Sequence, residues 1–255
     1  KDAKDAIEMP AIQGKLEFEH VTFSYEKGVE ILKDVNFSVE PGKTIAFVGP
    51  TGAGKSTIVN LISRFYNVDS GRILIDGVDI SKVTLRSLRK QMGVMMQDSF
   101  IFGGTIMDNI RYGNKTATDE EVIRAAKTVC AHDFIMQMED GYQTQVNERG
   151  SRLSVGQRQL ISFARALLAD PAILILDEAT SSIDTETEIV LQEGLNHLLK
   201  GRTSFIIAHR LSTIQNADCI MYISDGGIAE AGTHEELLQK HGKYYELYEA
   251  QYKSV

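Results

Sequence analysis

A glycine-rich stretch between an apolar run and a helical pattern is the first feature of the sequence that could do chemistry. It is GPTGAGKST, from Gly49 to Thr57, and it fits the pattern G-x-x-x-x-G-K-[ST]. Glycines let successive backbone N–H groups turn toward phosphate oxygens, and the N-terminus of the following helix adds its own. Lys55 is then expected to reach the β- and γ-phosphates of a nucleotide, and the Ser56 hydroxyl to bind Mg²⁺. The predicted triphosphate contacts are Gly49, Thr51, Gly52, Ala53, Gly54, Lys55, Ser56 and Thr57.

A second chemical feature is the acidic pair Asp177 and Glu178, which follows the apolar run from Ile173 to Leu176. Such a run is typical of a strand covered on both faces of a parallel sheet, and ligands bind at the carboxyl edge of such sheets. Most Asp-Glu pairs simply start a surface helix, but two adjacent carboxylates at a sheet edge are costly without a cation. We therefore expect Asp177 to join a Mg²⁺ shell and Glu178 to polarise an attacking water.

The stretch RLSVGQRQL, residues 152–160, indicates the start of a helix. Ser154 and Gln157 fit a Ser-x-x-Gln capping box, and apolar residues recur at helical spacing beyond it. Ser154 and Gly156 are small and leave the positive end of this helix uncovered, and a helix N-terminus binds anions. The pattern predicts a second anion site without saying which anion it meets.

The elements around these motifs follow the order of an α/β protein. Strand patterns stand in KLEFEHVTFSY (with a break in its alternation), ILKDVNFSV, TIAFVG, RILIDG, AILILD and TSFIIA, and helical patterns in STIVNLISRF, DEEVIRAAKTVCAHDFIMQM and the C-terminal tail. This order predicts a β-rich N-terminus, a parallel-sheet core and a mostly helical insertion at about residues 98–169. Residues 1–14 are charged and aperiodic, so we expect them to be a linker before a domain of residues 15–255.

Composition limits the possible classes of protein. A net charge of −8 over 255 residues argues against nucleic acid as the main partner, because such partners usually require a basic surface. Cys130 and Cys219 lie far apart and outside any C-x-x-C pattern, so we expect two idle thiols rather than a disulfide or a metal pair.

No run approaches the roughly 18 apolar residues that cross a bilayer. The first residue is not Met, so we expect a soluble fragment of a longer protein.

With LSVGQ upstream of ILILDEATSSID and AHR downstream of it, the sequence resembles the nucleotide-binding domain of an ATP-binding cassette (ABC) transporter. The resemblance extends from about Lys15 to Gln251, and its motifs stand in the order and spacing of the family. It implies a P-loop NTPase with a RecA-like core, an antiparallel β subdomain and an α-helical subdomain. It also implies ATP and Mg²⁺ as ligands and hydrolysis of the ATP.

The resemblance implies roles for residues that carry no signal alone. Tyr25 matches the aromatic residue that stacks on adenine, Gln97 the glutamine that senses Mg²⁺ and the attacking water, and His209 the switch histidine at the γ-phosphate. Without the resemblance, Tyr25 would be taken for a core aromatic of a strand and His209 for a structural residue. The implied catalytic residues are Lys55, Gln97, Glu178 and His209, and the implied metal shell is Ser56, Gln97 and Asp177.

In this family two domains dock head to tail, and each ATP lies between the phosphate loop of one domain and the signature of the other. The resemblance therefore implies that the helix after Ser154 meets the γ-phosphate of an ATP bound by a partner domain. Ser154 and Gly156 would be small so that this phosphate can approach closely. The residues implied to act in trans are Ser154, Val155, Gly156, Gln157 and, from a loop that crosses the interface, Asp184.

The finer resemblance is to bacterial multidrug and lipid exporters, and it rests on TQVNERG, DNIRYG and AGTHEELL. One departure is Asn147, since the family pattern has Gly before the residue that matches Glu148. The resemblance implies ATP-driven export, with the transmembrane domains of the same transporter as partners and no nucleic acid. It also implies that residues 1–14 are the linker from such a transmembrane domain. It places the domain at the cytoplasmic face of the plasma or inner membrane.

A second departure is Val155, which stands where the family usually has Gly. Some exporters are heterodimers in which the subunit with the catalytic Glu carries the altered signature. The chain is thus expected to be either the catalytically intact half of a heterodimer or a homodimer that tolerates Val. The alternative class is a soluble ABC-type ATPase that acts on nucleic acid or on ribosomes, although the segment from Gln97 to the signature has no heptad tract.

Overall fold

The computed structural model describes residues 1–96, 100–147, 152–178 and 183–253. The chain forms two compact units. The core unit comprises Lys1–Val94, Ala172–Glu178 and Gly201–Val255. The helical unit comprises Met95–Pro171 and Ala179–Lys200, and it therefore extends beyond the insertion predicted at about residues 98–169.

The described strands and helices follow one another along both units. The strands are β1 (Leu16–Glu26), β2 (Val29–Val39), β3 (Thr44–Val48), β4 (Ser70–Ile75), β5 (Val78–Asp79), β6 (Met92–Met95), β7 (Gly104–Thr105), β8 (Gln145–Val146), β9 (Ile173–Asp177), β10 (Thr203–Ile207), β11 (Cys219–Ser224) and β12 (Gly227–Gly232). The helices are α1 (Lys55–Ile62), α2 (Leu85–Arg89), α3 (Ile106–Arg111), α4 (Asp119–Thr128), α5 (His132–Gln137), α6 (Val155–Ala169), α7 (Thr185–Leu199), α8 (Leu211–Asn216), α9 (His234–Lys240) and α10 (Lys243–Gln251).

The central sheet of the core unit has the strand order β12-β11-β3-β10-β9-β6. Strands β11, β3, β10 and β9 pair in parallel, while β12 pairs antiparallel with β11. The short strands β3, β9 and β10 are almost entirely buried, which matches their continuous apolar sequences. In their register Ile207 lies opposite both Phe47 and Asp177, so the three strands end side by side at one edge of the sheet.

The second sheet of the core unit is antiparallel, in the order β2-β1-β4-β5. The predicted break in the alternation of β1 is confirmed as a register shift between Phe18 and Val21, where His20 adopts a positive φ of 50°. The shift lets Phe18 and Phe23 both face the core despite their odd spacing. The antiparallel β part implied by the resemblance is therefore present.

The helical unit packs α6 against α3, α4 and α7. Glycine permits close approach of α7 to the end of α4: a Cβ at Gly194 of α7 would lie 2.3 Å from the carbonyl oxygen of Val129. The helical pattern of residues 119–138 is divided into α4 and α5 at Cys130, which has a positive φ of 65°. Because α7 packs on α6, the unit takes in a segment that follows Glu178 in sequence.

The N-terminal segment, predicted to be a linker, is packed on the core unit from Ile7 onward. The N–H of Met9 donates to Ser87 Oγ at 2.8 Å, and that of Ile12 donates to Gln91 Oε1 at 2.8 Å. Both apolar side chains are buried. Met9 and Ile12 are isolated apolar residues that form no periodic pattern, so the sequence does not indicate this packing. That the segment connects to a membrane-spanning domain stays a prediction.

Within the described residues, no helix has both the length and the apolar character needed to cross a membrane.

The carboxylate of Asp76 ties the end of this N-terminal segment to the antiparallel sheet. It accepts the backbone N–H groups of Gln13, Gly14 and Lys15 at 2.6, 3.0 and 2.9 Å. Asp76→Ala should lower the free energy of unfolding by about 2 kcal/mol, because hydrogen bonds to a charged acceptor are lost and because Ala adopts the positive φ of 52° at this position less readily than Asp or Asn. Asp76→Asn retains one carbonyl oxygen and should cost less than half as much. Urea unfolding measures both changes, and equal losses in the two variants would contradict this account.

Candidate functional site

The glycine-rich loop joins β3 to α1, as its sequence predicts. Gly49 and Gly54 have backbone φ values of 137° and 116°, which residues other than Gly rarely adopt. A Cβ at Gly49 would also lie 2.3 Å from the carbonyl oxygen of Ile223. The loop therefore turns where only glycine fits, directly before the N-terminus of α1, and this is the conformation that a phosphate-binding loop needs.

Lys55 and Ser56, the first two residues of α1, both lie at this loop. The ammonium of Lys55 donates to the carbonyl oxygen of Gly49 and lies 3.4 Å from that of Pro50. Its partial burial lowers the pKa of Lys55, and the nearby carboxylate of Asp177 opposes that shift. Ser56 is exposed. The Lys55 ammonium and the Ser56 hydroxyl, both predicted to bind ligands, thus lie in the first turn of α1.

Tyr25 is attached to the same helix through its hydroxyl group. Its Oη lies 3.0 Å from the Oγ1 of Thr57, which is buried. Its ring packs edge-on against Phe23 and Tyr66 at centroid distances of 4.8 and 4.9 Å, yet the side chain remains 46% exposed. A fixed ring with one accessible surface can stack on a planar base. Tyr66 is also exposed, and the sequence did not predict a role for it. The one indication was its position directly after the basic-aromatic pair Arg64-Phe65.

Asp177 and His209 meet at the carboxyl edge of the central sheet. Asp177 ends β9, and its Oδ1 lies 3.6 Å from Nε2 of His209, which follows β10. That ring nitrogen is buried and has no hydrogen-bond partner among the described residues. A buried polar atom without a protein partner indicates a ligand or a water. The structure thus places Asp177, a predicted Mg²⁺ ligand, beside His209, which the resemblance implies at the γ-phosphate.

A magnesium ion is compatible with the oxygen donors of this edge. Ser56 offers a hydroxyl and Asp177 a carboxylate, the ligand types that Mg²⁺ prefers. Over the described residues, no group of three His, Cys, Asp or Glu side chains is arranged to hold a metal ion on its own. Mg²⁺ commonly keeps water and phosphate oxygens as its other ligands, so one carboxylate and one hydroxyl are sufficient. Gln97, the third predicted ligand, lies outside the described residues.

Glu178 is fully buried, and its carboxylate accepts five hydrogen bonds from described residues. Oε2 accepts the backbone N–H groups of His209 and Arg210 at 2.8 and 3.0 Å. Oε1 accepts Nε and Nη2 of Arg210 at 3.1 and 3.0 Å, and also the Thr213 hydroxyl. The sequence predicted that Glu178 polarises a water, but it did not identify Arg210. The sequence feature that could have indicated Arg210 is its position as a basic residue directly after His209 in AHR.

The C-terminal helix α10 also reaches this site. The hydroxyl of Tyr252, directly after the last residue of α10, donates to the carbonyl oxygen of His209 at 3.1 Å. Burial raises the pKa of Tyr252, and the negative charge of Glu178 raises it further. The hydroxyl therefore stays protonated and keeps its role as donor, and the tail of the chain helps to position the predicted switch residue.

The helical unit contains the residues that the resemblance places in trans. Ser154 caps α6 as predicted: its Oγ accepts the N–H of Gln157 at 3.1 Å, and Gln157 Oε1 accepts the N–H of Ser154 at 3.0 Å. Asp184 caps α7 by accepting the N–H of Thr187 at 3.1 Å, and hydrogen bonding to Thr187 lowers its pKa. Val155 is partly exposed. Glu148 of the predicted exporter loop lies outside the described residues.

Gly156 has a reason to be small that the sequence did not reveal. It is buried, and a Cβ there would lie 2.3 Å from Cγ2 of Thr187 in α7. The close packing of α6 on α7 therefore requires glycine within the chain itself. Close approach of a partner's phosphate was the predicted reason, and it is not needed to explain this residue.

The comparisons with known proteins agree on one family. A family model described as ABC transporter matches residues 32–181. A protein of Bacillus subtilis described as an uncharacterized ABC transporter ATP-binding protein is 55% identical over 252 residues, which are 99% of this chain and 42% of that protein. An ATP-dependent lipid A-core flippase of Syntrophus aciditrophicus is 49% identical over 252 residues, again 99% of this chain and 42% of the relative.

A structural comparison gives the same result. A solved bacterial Atm1-family ABC exporter with ATP bound superposes with a TM-score of 0.90 and 43% sequence identity, over 99% of this chain and 44% of that one. A fatty acid ABC transporter ATP-binding/permease protein of Mycobacterium tuberculosis is 51% identical over 240 residues, which are 94% of this chain and 38% of that protein. The chain thus spans about two fifths of the length of the curated relatives it matches.

The contact between Gly156 and Thr187 can be tested by substitution. Gly156→Ala should lower the free energy of unfolding by about 2 kcal/mol, because the added Cβ overpacks the α6–α7 contact. Thr187→Ser removes Cγ2 but keeps the hydroxyl, so it should restore most of that loss in the double variant. Val155→Ala is the control and should stay within about 0.5 kcal/mol of the parent. Unchanged urea unfolding of Gly156→Ala would show that packing does not require the glycine.

Proposed function

Since the chain belongs to the ABC transporter family, as one of its ATP-binding domains, we propose that it hydrolyses ATP to drive export across a membrane. One observation supports this most strongly: the phosphate loop, Asp177, Glu178 and His209 converge on the edge where β3, β9 and β10 end. The phosphate loop follows β3, the two acidic residues come from the end of β9, and His209 follows β10, and parallel pairing brings the three strand ends together.

In the proposed reaction the phosphate loop binds the β- and γ-phosphates through its N–H groups and Lys55. Ser56, Asp177 and the predicted ligand Gln97 hold Mg²⁺, which neutralises phosphate charge when it is bound. Glu178 takes a proton from water, the water oxygen attacks the γ-phosphorus, and the bond to the β–γ bridging oxygen breaks to release ADP. Lys55 and His209 offset the charge that develops on the transferred group.

We propose that a second nucleotide-binding domain completes each site. Ser154, Val155, Gly156, Gln157 and Asp184 would then contact an ATP bound by that partner. The position of the first four at the N-terminus of α6 supports the proposal for them, because the start of a helix attracts phosphate and the first turn of α6 has no acidic residue, while the role of Asp184 rests on the resemblance. Tyr25 would stack on the adenine of the chain's own ATP.

Coupling to transport is proposed from the relatives. One is a lipid flippase and another is an ATP-binding/permease protein, so we infer that membrane-spanning domains of the same transporter are the further partners, at the cytoplasmic face of the membrane. A soluble ATPase that acts on nucleic acid or ribosomes is not favoured, because the relatives compared are transporters and the net charge is −8.

The role of Glu178 as the base has a direct test. Glu178→Gln should retain ATP binding but lower the turnover of ATP at least about 100-fold, because the amide cannot accept the proton of the attacking water. Phosphate release and nucleotide binding by equilibrium dialysis are the measurements. Glu40→Gln changes an exposed carboxylate of the core unit and should leave both unchanged. Retained turnover in Glu178→Gln would reject the role.

Val155 bears on the identity of the partner domain. We infer that the chain is the catalytically intact half of a heterodimer, because a β-branched residue is restricted and bulky beside a phosphate. With ATP, the Glu178→Gln chain alone should therefore remain largely monomeric in sedimentation, and Val155→Gly should increase its dimerisation. A stable symmetric dimer of the Glu178→Gln chain with Val155 intact would contradict the heterodimer.

A further inference from the structure

We propose that Arg210 is a positioning residue that holds Glu178 away from water, and that ATP hydrolysis requires this ion pair to open. The inference rests on the proposed role of Glu178 as the base. It deepens that role by stating what controls when the carboxylate can act.

The hydrogen bonds of the Glu178 carboxylate use all of its acceptor capacity. An ionised carboxylate has two oxygens with about four lone-pair sites. Glu178 accepts five hydrogen bonds from His209, Arg210 and Thr213, and its side chain is 0% exposed. A general base must itself accept a hydrogen bond from the water that it deprotonates. In this arrangement no lone pair and no accessible surface remain for that water, so Glu178 has to leave at least part of the network before it can act.

Arg210 is the residue that determines the position of Glu178. It supplies three of the five donors, and its side chain is the only cation among them. Among the described residues, every hydrogen bond of its guanidinium goes to Glu178, and Nη1 has no partner. Separating a buried ion pair leaves two desolvated charges, which is strongly unfavourable. The paired arrangement therefore persists until another group replaces one of its members.

This ion pair is connected through the backbone to His209, the predicted switch residue. Arg210 directly follows His209 and is the N-cap residue of α8. The same oxygen of Glu178 accepts the N–H groups of both His209 and Arg210. When Glu178 moves toward water, the loop that carries His209 loses an acceptor for two consecutive N–H groups. Release of the base and movement of the switch loop are thus one event, and a ligand that contacts His209 can promote both.

The test measures steady-state ATP turnover of the whole 255-residue chain in the Val155→Gly background, which is expected to increase dimerisation, and each variant is compared with that parent. Arg210→Met keeps the length and apolar stem of the side chain but removes all guanidinium donors, and it should raise kcat about tenfold. The KM for ATP should change less than about twofold, because substrate contacts are untouched. Arg210→Lys keeps the charge with a single donor group and should raise kcat less than Arg210→Met. A purely structural role would not produce a rise in kcat at constant KM.

Adding Glu178→Gln separates the two proposals. The double variant Arg210→Met with Glu178→Gln should show no gain over Glu178→Gln alone, because the effect acts through the carboxylate. A gain there, or an unchanged or lower kcat in folded Arg210→Met, would overturn the inference about Arg210. Retained turnover in Glu178→Gln alone would instead overturn the proposed function.

A second variant covers the case in which Arg210→Met does not fold. Thr213→Val is nearly isosteric, removes one donor to Glu178 and leaves the ion pair in place, so cooperative thermal unfolding should persist. It should raise kcat about twofold, since fewer bonds then hold the carboxylate. A kcat at or below that of the parent in folded Thr213→Val would overturn the inference.

Discussion

The parallel pairing of β3, β10 and β9 is the constraint on which the rest of the core unit depends. Ile207 lies opposite Phe47 on one side and Asp177 on the other, so three loops leave the sheet at the same level. A shift by one residue would turn every side chain of a strand to the other face, and these strands are buried on both faces. A shift of β9 by one residue toward the interior would bury Asp177, so the apolar residues of the strands help to determine where the polar ones meet.

Two acidic side chains lie at that edge of the sheet, and each of them has basic side chains as neighbours. Asp177 lies near the Lys55 ammonium and 3.6 Å from the His209 ring, while the buried Glu178 pairs with Arg210. A buried carboxylate without a cation would be far more costly than these arrangements. The two neighbouring acids therefore differ in environment: Asp177 faces the phosphate loop, and Glu178 is enclosed by the loop that follows β10. Their different proposed roles, metal ligand and base, follow from this difference.

Features set by neighbouring residues could be predicted from the sequence, and features set by distant contacts could not. The phosphate loop, the buried strands and the Ser154 cap follow from local spacing. By contrast, β12 was not predicted, because glycine and alanine give its sequence a weak strand preference and its ladder with β11 supplies the order. Gly156 was assigned to phosphate approach because Thr187, which actually contacts that position, lies 31 residues further along. The packing of Met9 and Ile12 was missed for the same reason.

Glu178 illustrates both what could be predicted from the sequence and what could not. Its type and its place after a buried strand identify it as a candidate base, and no tertiary information is needed. Its partner Arg210 belongs to the loop after β10, and the two meet only because β10 pairs with β9. The pairing that brings the base to the reactive edge therefore also brings the cation that encloses it. In the proposed mechanism this base must be released before it can act, so the proposed catalysis and its control share one structural origin.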